Sequence, residues 1–399
     1  MFSRLYPRLH LQISFADLLF SLFSGILRTS SEPPPIVQHF QQGNKQILVT
    51  LSVRTAFDLL LQSLNLPPGT EVLMSAVNIR DMVEIVRRYD LVPVPVEIDF
   101  NTLEPDIQLL ESLISPNTKI LLAAHLFGAV IEVKPLIELC RKHQILFIED
   151  CAQAFCGDRY CGDPQADVSL FSFGPIKSCT ALGGAIASIR DATLAEQMRK
   201  IESTYPQRSK LWFYKRVLKY CGLKLLSLPL IYQQLISLLE YFKLDPDATI
   251  NSFTRGFSQG DLLAKLRYRP PQGMHKLLWH RLRTFDNFWF KNREAKARLL
   301  IDRLSPEILY PGNQADFHSF WVFPILTDNP KLLIQKLREN GFDATRGNTS
   351  LTHLNQQQYL SENYLKSEHL SKQILYLPVS GELPESEVIR LAQLVNIKP

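Results

Sequence analysis

The sequence predicts an α/β protein, with a mainly parallel central sheet covered by helices and a smaller α+β domain toward the C-terminus. Three observations carry that prediction. From "QILVTLS" onward, short apolar runs alternate with helix-periodic segments, the pattern of repeated βαβ units. The apolar runs are nearly continuous, as expected of strands buried on both faces. Pro and Gly, as in "LPPGTEV", fall between helix-like and strand-like pieces. At 399 residues, 46% hydrophobic and 21% charged, the chain can bury the core of one large domain and a smaller one.

The first element is "FADLLFSLFSGILRTS", whose apolar run is interrupted and shorter than the roughly 20 residues of a membrane span. Phe15, Leu18, Leu19, Leu22 and Ile26 share one helical face, so residues 1–45 read as an amphipathic arm and linker, ended by "SSEPPPIV". Strands are expected at "ILVTLS", "EVLMSA", "LVPVPVEI", "KILLAAHL", "ILFIED", "DVSLFSF" and "GAIASI". Helices are expected between them at "TAFDLLLQSLN", "RDMVEIVRRY", "EPDIQLLESLI" and "VKPLIELCRKH", which together make a large domain over 46–202. Residues 203–257 break the alternation with a basic, aromatic and leucine-rich pair of helices divided at Pro229 and read as a helical insertion. A long helix at "HRLRTFDNFWFKNREAKARLLIDRL", then "FHSFWVFPIL", "PKLLIQKLRENG" and "PESEVIRLAQLV", place the small domain over 258–399.

Lysine and arginine exceed the acids by a net +5 with no basic tail, which gives no indication of nucleic acid as a partner. Six cysteines without a cleavable signal pattern point to the cytoplasm. Cys151, Cys156 and Cys161 are evenly spaced but form no Cys-x-x-Cys pair and have no nearby His pair, so no metal site is expected. Without a Gly-x-Gly-x-x-Gly or Walker-type loop, a dinucleotide or nucleoside triphosphate site is unsupported.

Two strand ends carry the chemistry. "ILFIED" closes on Glu149 and Asp150, and an acid there is either a helix cap or a charge partner. "SLFSFGPIKSCTALGGAIAS" runs a strand into a Gly-Pro turn and Lys177, which is either a surface lysine or one fixed to form an imine. Sheets of this kind bind ligands at the carboxyl ends of their strands. A lysine and an acid held there are what pyridoxal phosphate enzymes need, the acid keeping the pyridine nitrogen protonated.

The chain resembles the DegT/StrS type of pyridoxal-phosphate-dependent sugar aminotransferase. Glu149, Asp150, Cys151, Ala152 and Gln153 match its Glu-Asp-x-Ala-Gln segment, and Ser172 to Lys177 match its Ser-Phe-x-Pro-x-Lys segment. Weaker likeness at "LPPGTEVLMSAV", "PVPVEIDFNTLEPD", "HLFG" and "ILYLPVSGELPESEV" extends it over 46–202 and 264–399, leaving the arm and insertion outside. The resemblance implies the fold type I of aspartate aminotransferase, pyridoxal 5'-phosphate as cofactor, and transfer of an amino group to a keto-sugar, nucleotide- or lipid-linked. Glutamate or glutamine would be the donor. It also implies that Lys177 forms the Schiff base and shuttles the proton, that Asp150 holds the pyridinium and that Gln153 lies beside the phenolic oxygen. Ser172 and Thr55 would bind the phosphate, Thr55 at a helix start. Locally, Ser172 reads equally as a strand residue and Thr55 as an N-cap.

Three positions depart from the family pattern. Arg54 replaces the glycine before Thr55, either adding charge to the phosphate cup or crowding it; Ile79 stands where an aromatic packs on the cofactor ring. Arg267 replaces the Asn that a neighbouring subunit gives to the phosphate, which implies a homodimer. Arg346 in "GFDATRGNTS" reads as a fork for a substrate carboxylate or as a surface residue, and His125 as structural. Two other functions stay open: an idle binding or regulatory relative, and a sugar dehydratase using pyridoxal or pyridoxamine phosphate, in which a histidine would replace Lys177. The insertion's Lys210, Lys215, Arg216, Lys219 and Lys224, interleaved with aromatics, read either as helices packed on the protein or as a peripheral contact at the inner membrane face through residues 208–245.

Overall fold

The computed structural model describes residues 4–8, 10–23, 33–244, 246, 249, 261–347, 351–354 and 372–397. The strands in chain order are β1 (Gln46–Thr50), β2 (Glu71–Ser75), β3 (Val77–Ile79), β4 (Val92–Val96), β5 (Thr118–Ala124), β6 (Ala129–Val130), β7 (Leu146–Asp150), β8 (Val168–Ser172) and β9 (Ala185–Ile189). Seven of them make one sheet in the order β1-β9-β8-β7-β5-β2-β4, and these seven are the strands expected from the apolar runs. β4, β2, β5, β7 and β8 are mutually parallel, while β9 runs antiparallel to β8 and β1.

The alternation of side chains along each strand divides the core in two. Val72, Met74, Ile120, Leu122 and Ile148 face one side, where the helix Val53–Leu64 supplies Phe57 and Leu60. Leu73, Leu121, Ala123 and Phe147 face the other, where Leu110, Leu136 and Ile137 come from the helices Ile107–Leu113 and Lys134–Lys142. Both faces are therefore dry, which is why the strand sequences carry so few polar residues.

After the insertion, β10 (Phe317–His318) pairs with β6, β11 (Phe323–Leu326) pairs with β13 (Ile374–Leu377), and β12 (Leu351–His353) pairs with β3. The helices Phe288–Ile301, Pro330–Glu339 and Glu385–Asn396 close over β11 and β13 around Leu300, Leu337, Leu375 and Leu391. The smaller C-terminal part is thus pinned to the large sheet's loops at β6 and β3.

The arm helix, Phe15–Phe23, buries part of the face its apolar spacing suggests, Leu18 and half-buried Leu22 packing in a core cluster, but is turned so that other residues of that face stay outside. Asp17, Leu18 and Ser21 are buried, whereas Phe15 and Leu19 are exposed; Ile26 lies outside the described residues. The cause is electrostatic. Asp17 accepts from Arg281 at 2.6 Å and lies 3.1 Å from His280, so the helix rotates to bring its one acid to those cations. The insertion forms the helices Lys210–Leu226 and Pro229–Tyr241, bent by 94°. Phe213, Val217 and Tyr220 of the first enter a third core cluster with Leu18, Phe171 and Leu277, which anchors it in the protein. Among the described residues no single helix is long and apolar enough to cross a membrane.

Candidate active site

Asp150 ends β7, buried between the ends of β5 and β8, with its Oδ1 accepting from the Ala152 amide at 3.0 Å. Burial pushes its pKa up, and the Ala152 hydrogen bond and the charges of Lys177, His125 and Arg54 pull it back. Ser172 ends β8 next door, and the chain then leaves the sheet in a loop wound about one carbonyl. The Phe173 oxygen accepts from the amides of Ala181 and Gly183 and from the Thr180 hydroxyl. Within this loop the Gly-Pro turn closes through the Lys177 amide to the Gly174 carbonyl at 3.0 Å. Lys177 is therefore held by backbone geometry at a strand end, not displayed on a surface.

Its ammonium has little to stabilise it. Burial lowers the Lys177 pKa to about 7 and Arg54 adds to the effect, both outweighing the attraction of Asp150. A large share of neutral amine at neutral pH follows, as a nucleophile and proton carrier requires. The Nζ lies 3.8 Å from the ring centre of Trp321, whose indole donates to the Ile176 carbonyl at 2.9 Å. Trp321 is held in turn by "HLFG": Gly128 has φ +102°, and a Cβ there would fall 2.5 Å from the Trp321 nitrogen. Gln153 fixes the same loop, its side-chain oxygen accepting from the Phe127 amide at 2.8 Å.

On the opposite side, Ser52 caps the helix Val53–Leu64 by accepting from the Thr55 amide at 3.2 Å. The cap is thus Ser52, and Thr55, fully buried, donates its hydroxyl to the Leu266 carbonyl at 3.0 Å. Arg54 points from the first turn toward the lysine and acid and pairs with Asp81 at 2.7 Å. Burial lowers its pKa against the pull of Asp81 and Asp150. Asp81 opens the helix Arg80–Arg88 directly after Ile79, which pairs with Leu351 and packs on the first core cluster.

Lys177, Asp150 and Arg54 are therefore brought into one electrostatic unit, with Ser172 at the end of the adjoining strand. Arg267 is engaged elsewhere in its own chain. It forks onto buried Asp58 at 3.2 Å through both Nε and a terminal nitrogen, and donates to Tyr89 at 3.1 Å. Arg346 is exposed just after the Thr345–Tyr376 bridge, and residues 348–350 of that loop lie outside the described residues.

Beneath Asp150 lies a saturated polar network. Glu149 accepts from His125 at 2.9 Å, Ser169 at 2.8 Å, the Asp163 amide at 3.1 Å and the Tyr160 hydroxyl. His125 Nδ1 accepts from the Ile131 amide at 3.1 Å, so its Nε2–H is the donor to Glu149. Burial alone would raise the Glu149 carboxyl, but these donors override it and hold it at about 2. His125, Glu149 and Cys151 place ligand-type atoms within 4.8 Å of one another. The carboxylate oxygens are already occupied by donors, and burial keeps the Cys151 thiol protonated, so the cluster supports β7 as a hydrogen-bonded network.

Asp81, Trp321, Tyr160 and Arg293 escaped sequence reasoning. Arg293, 2% exposed, donates to the Ser319 carbonyl at 2.9 Å and to Ser178 at 3.3 Å, and lines a narrow cleft with Ile176 and Trp321. Only Asp81 left a trace: an arginine beside a buried strand end demands an acid, and "NIRD" carries one. As a donor set, Asp150, Lys177, Ser172 and Arg54 fit pyridoxal phosphate, with a carboxylate for a ring cation, an amine for a carbonyl, and a hydroxyl and guanidinium for a phosphate.

A parallel sheet with a lysine and an acid at neighbouring strand ends defines the fold type I of pyridoxal-phosphate-dependent transferases. Residues 38–224 match the DegT/DnrJ/EryC1/StrS aminotransferase family. It is 32% identical over 176 residues to GDP-perosamine synthase of Caulobacter vibrioides, covering 43% of this chain and 47% of that protein. It is 33% identical over 160 residues to UDP-4-amino-4-deoxy-L-arabinose–oxoglutarate aminotransferase of Shewanella sediminis, covering 39% and 41%. The match thus spans less than half the length of these relatives. In three dimensions the chain is similar to the aminotransferase TlmJ from Streptoalloteichus hindustanus, with TM-score 0.69, 18% identity and 98% of each chain covered. That likeness speaks for the fold.

Proposed function

We propose that the protein is a pyridoxal-phosphate-dependent aminotransferase that moves an amino group from glutamate or glutamine to a keto-sugar carried on a nucleotide or a lipid, working as a cytoplasmic homodimer. The observation that carries this reading is Lys177: a half-buried lysine whose pKa is lowered to about 7, electrostatically coupled to a buried Asp150 at the next strand end. The names of the two sequence relatives, both concerned with amino sugars, support the acceptor class. When bound, the cofactor supplies an electron sink that lets the amino group leave one substrate and enter the other.

The chain's own residues do the rest. Asp150 holds a positive charge on the ring nitrogen, a role that suits a carboxylate buried among cations. Arg54, steadied by Asp81, and Ser172 receive the phosphate. Lys177, as neutral amine, takes the proton from the substrate carbon and returns it. Gln153 and Ile79 border the ring, Thr55 anchors the helix start, Arg346 meets the donor's carboxylate, and Arg267 reaches the neighbour's phosphate by exchanging Asp58 for it. Over both half-reactions an amino acid and a keto-sugar become a 2-oxo acid and an amino-sugar.

An idle binding relative draws its support from Arg54, whose guanidinium already has an acid partner. One experiment separates the readings. The protein loaded with cofactor is mixed with glutamate or glutamine and no acceptor; the visible absorbance should shift and one equivalent of 2-oxo acid per site should appear. An unchanged spectrum with both donors overturns the aminotransferase reading.

A further inference from the structure

We propose that the outward faces of the arm helix and of the two insertion helices form one docking surface for an anionic lipid bilayer, a property independent of amino transfer. The helix Lys210–Leu226 is sharply two-faced. Phe213, Val217 and Tyr220 point into the core, whereas Leu211, Leu218 and Leu225, seven residues apart, are 62%, 59% and 48% exposed. Lys215 and Lys219 lie on this same outer face. Past the bend, Leu230, Ile231 and Leu238 are exposed, followed by Tyr241 and Phe242. The arm helix packs on the first insertion helix and adds exposed Phe15, Leu19 and Phe23; between the two helices Lys224 turns inward, its Nζ 5.6 Å over the Phe15 ring and donating to the Leu11 carbonyl. Scattered apolar side chains are ordinary on a surface, but a stripe running across three adjoining helices is not.

Charge decides what covers it. Residues 210–244 hold six cations against the single acid Glu240, a net +5 that equals the formal net charge of the whole chain. Arg216 and Lys224 turn inward, Arg216 to the Leu182 carbonyl, so Lys210, Lys215, Lys219 and Lys243 supply the outward charge. A second copy docked about a two-fold axis would set these cations against themselves. A bilayer bearing phosphate headgroups meets both features, with leucines entering the acyl boundary and lysines the headgroups. Among the described residues no single helix is fit to cross, and these two helices, long and apolar enough only as a pair, are bent by 94° and anchored in the core through Phe213, Val217 and Tyr220, so they would lie along the interface.

The test is co-sedimentation of the full chain with equimolar phosphatidylglycerol and phosphatidylcholine vesicles, beside pure phosphatidylcholine vesicles. The expected result is pelleting with the anionic vesicles only, weakened by salt, each outward lysine contributing about five-fold to partition. Leu218→Glu with Leu225→Glu, and separately Lys215→Glu with Lys219→Glu, should each reduce partition by roughly ten-fold or more at unchanged melting temperature. The proposal is overturned if the folded protein stays in the supernatant at low salt, or if both variants pellet like the parent. It is also overturned if, without lipid, the leucine variant dissociates the parent's dimer in sedimentation velocity, since a second copy would then cover this face.

Discussion

Lys177 has no carboxylate close enough to repay its burial, and a second cation, Arg54, lies nearby. That environment has a thermodynamic signature apart from catalysis. Below about pH 7 both folded and unfolded chains hold the proton, and the folded state bears the cost of a buried ammonium. Between pH 7 and the ordinary lysine value of 10.5 the unfolded chain still holds a proton that the folded one has released, so stability rises with pH across that window. Urea unfolding of the cofactor-free protein should show this rise, on the order of 1 kcal/mol per pH unit, and Lys177→Met should remove it. The same variant should lose turnover and the visible band of bound cofactor while remaining folded; retained transamination would discard the assignment. For Asp150 the expected separation is between activity and stability. An amide in its place cannot hold a ring cation, so Asp150→Asn should lower kcat/KM by roughly a hundred-fold or more while shifting the melting temperature little. Parallel loss of both would mean that Asp150 serves the fold.

At the scale of elements, the site is built where three local devices meet: the end of β7, the tethered loop after β8, and the capped start of the helix Val53–Leu64. Ser52→Ala removes that cap and should cost about 1 kcal/mol, and because Arg54 sits two residues later it should also weaken cofactor binding, as read by titrating the visible band. An unchanged dissociation constant would separate the helix start from the phosphate. The strands and most of the helices were legible because their information is local: continuous apolar runs, Pro-Gly breaks and 3.6-residue periodicity depend on near neighbours in sequence. The lysine and the acid were legible for the same reason, each standing directly at the end of such a run. What could not be read is what depends on distant partners. The arm helix turned on Asp17 because Arg281 and His280, far along the chain, outweigh its apolar stripe. Thr55 was read as a cap or a phosphate ligand because Ser52 and Thr55 are equally good hydroxyls, and only the Leu266 carbonyl shows where the second is spent. In the insertion, the basic and aromatic spacing was visible, but not that Arg216 and Lys224 point inward while leucines point out.

At the scale of the molecule, three segments distant in sequence converge on one buried carboxylate. Asp343, between the isolated bridges at Phe342 and Thr345, accepts from Arg8 of the arm at 2.5 and 2.6 Å and from Tyr232 of the second insertion helix, with Arg338 at 3.1 Å on its other side. Arg8 and Asp343 are both nearly or wholly buried, and Asp343 is the acid that offsets the Arg8 charge, while Arg338 and Tyr232 also bond the carboxylate. The arm and the second insertion helix, which lie outside the matched segment 38–224, are thereby fastened to the C-terminal part. Asp343→Ala should therefore be costly out of proportion to its size, because it leaves the Arg8 guanidinium buried without its charge partner; a loss of about 3–5 kcal/mol in urea unfolding is expected. Arg8→Met combined with Asp343→Leu removes both charges together and should recover a large part of that loss. Double-mutant coupling near zero would show that the contact carries no energy and that apolar packing alone holds the arm in place.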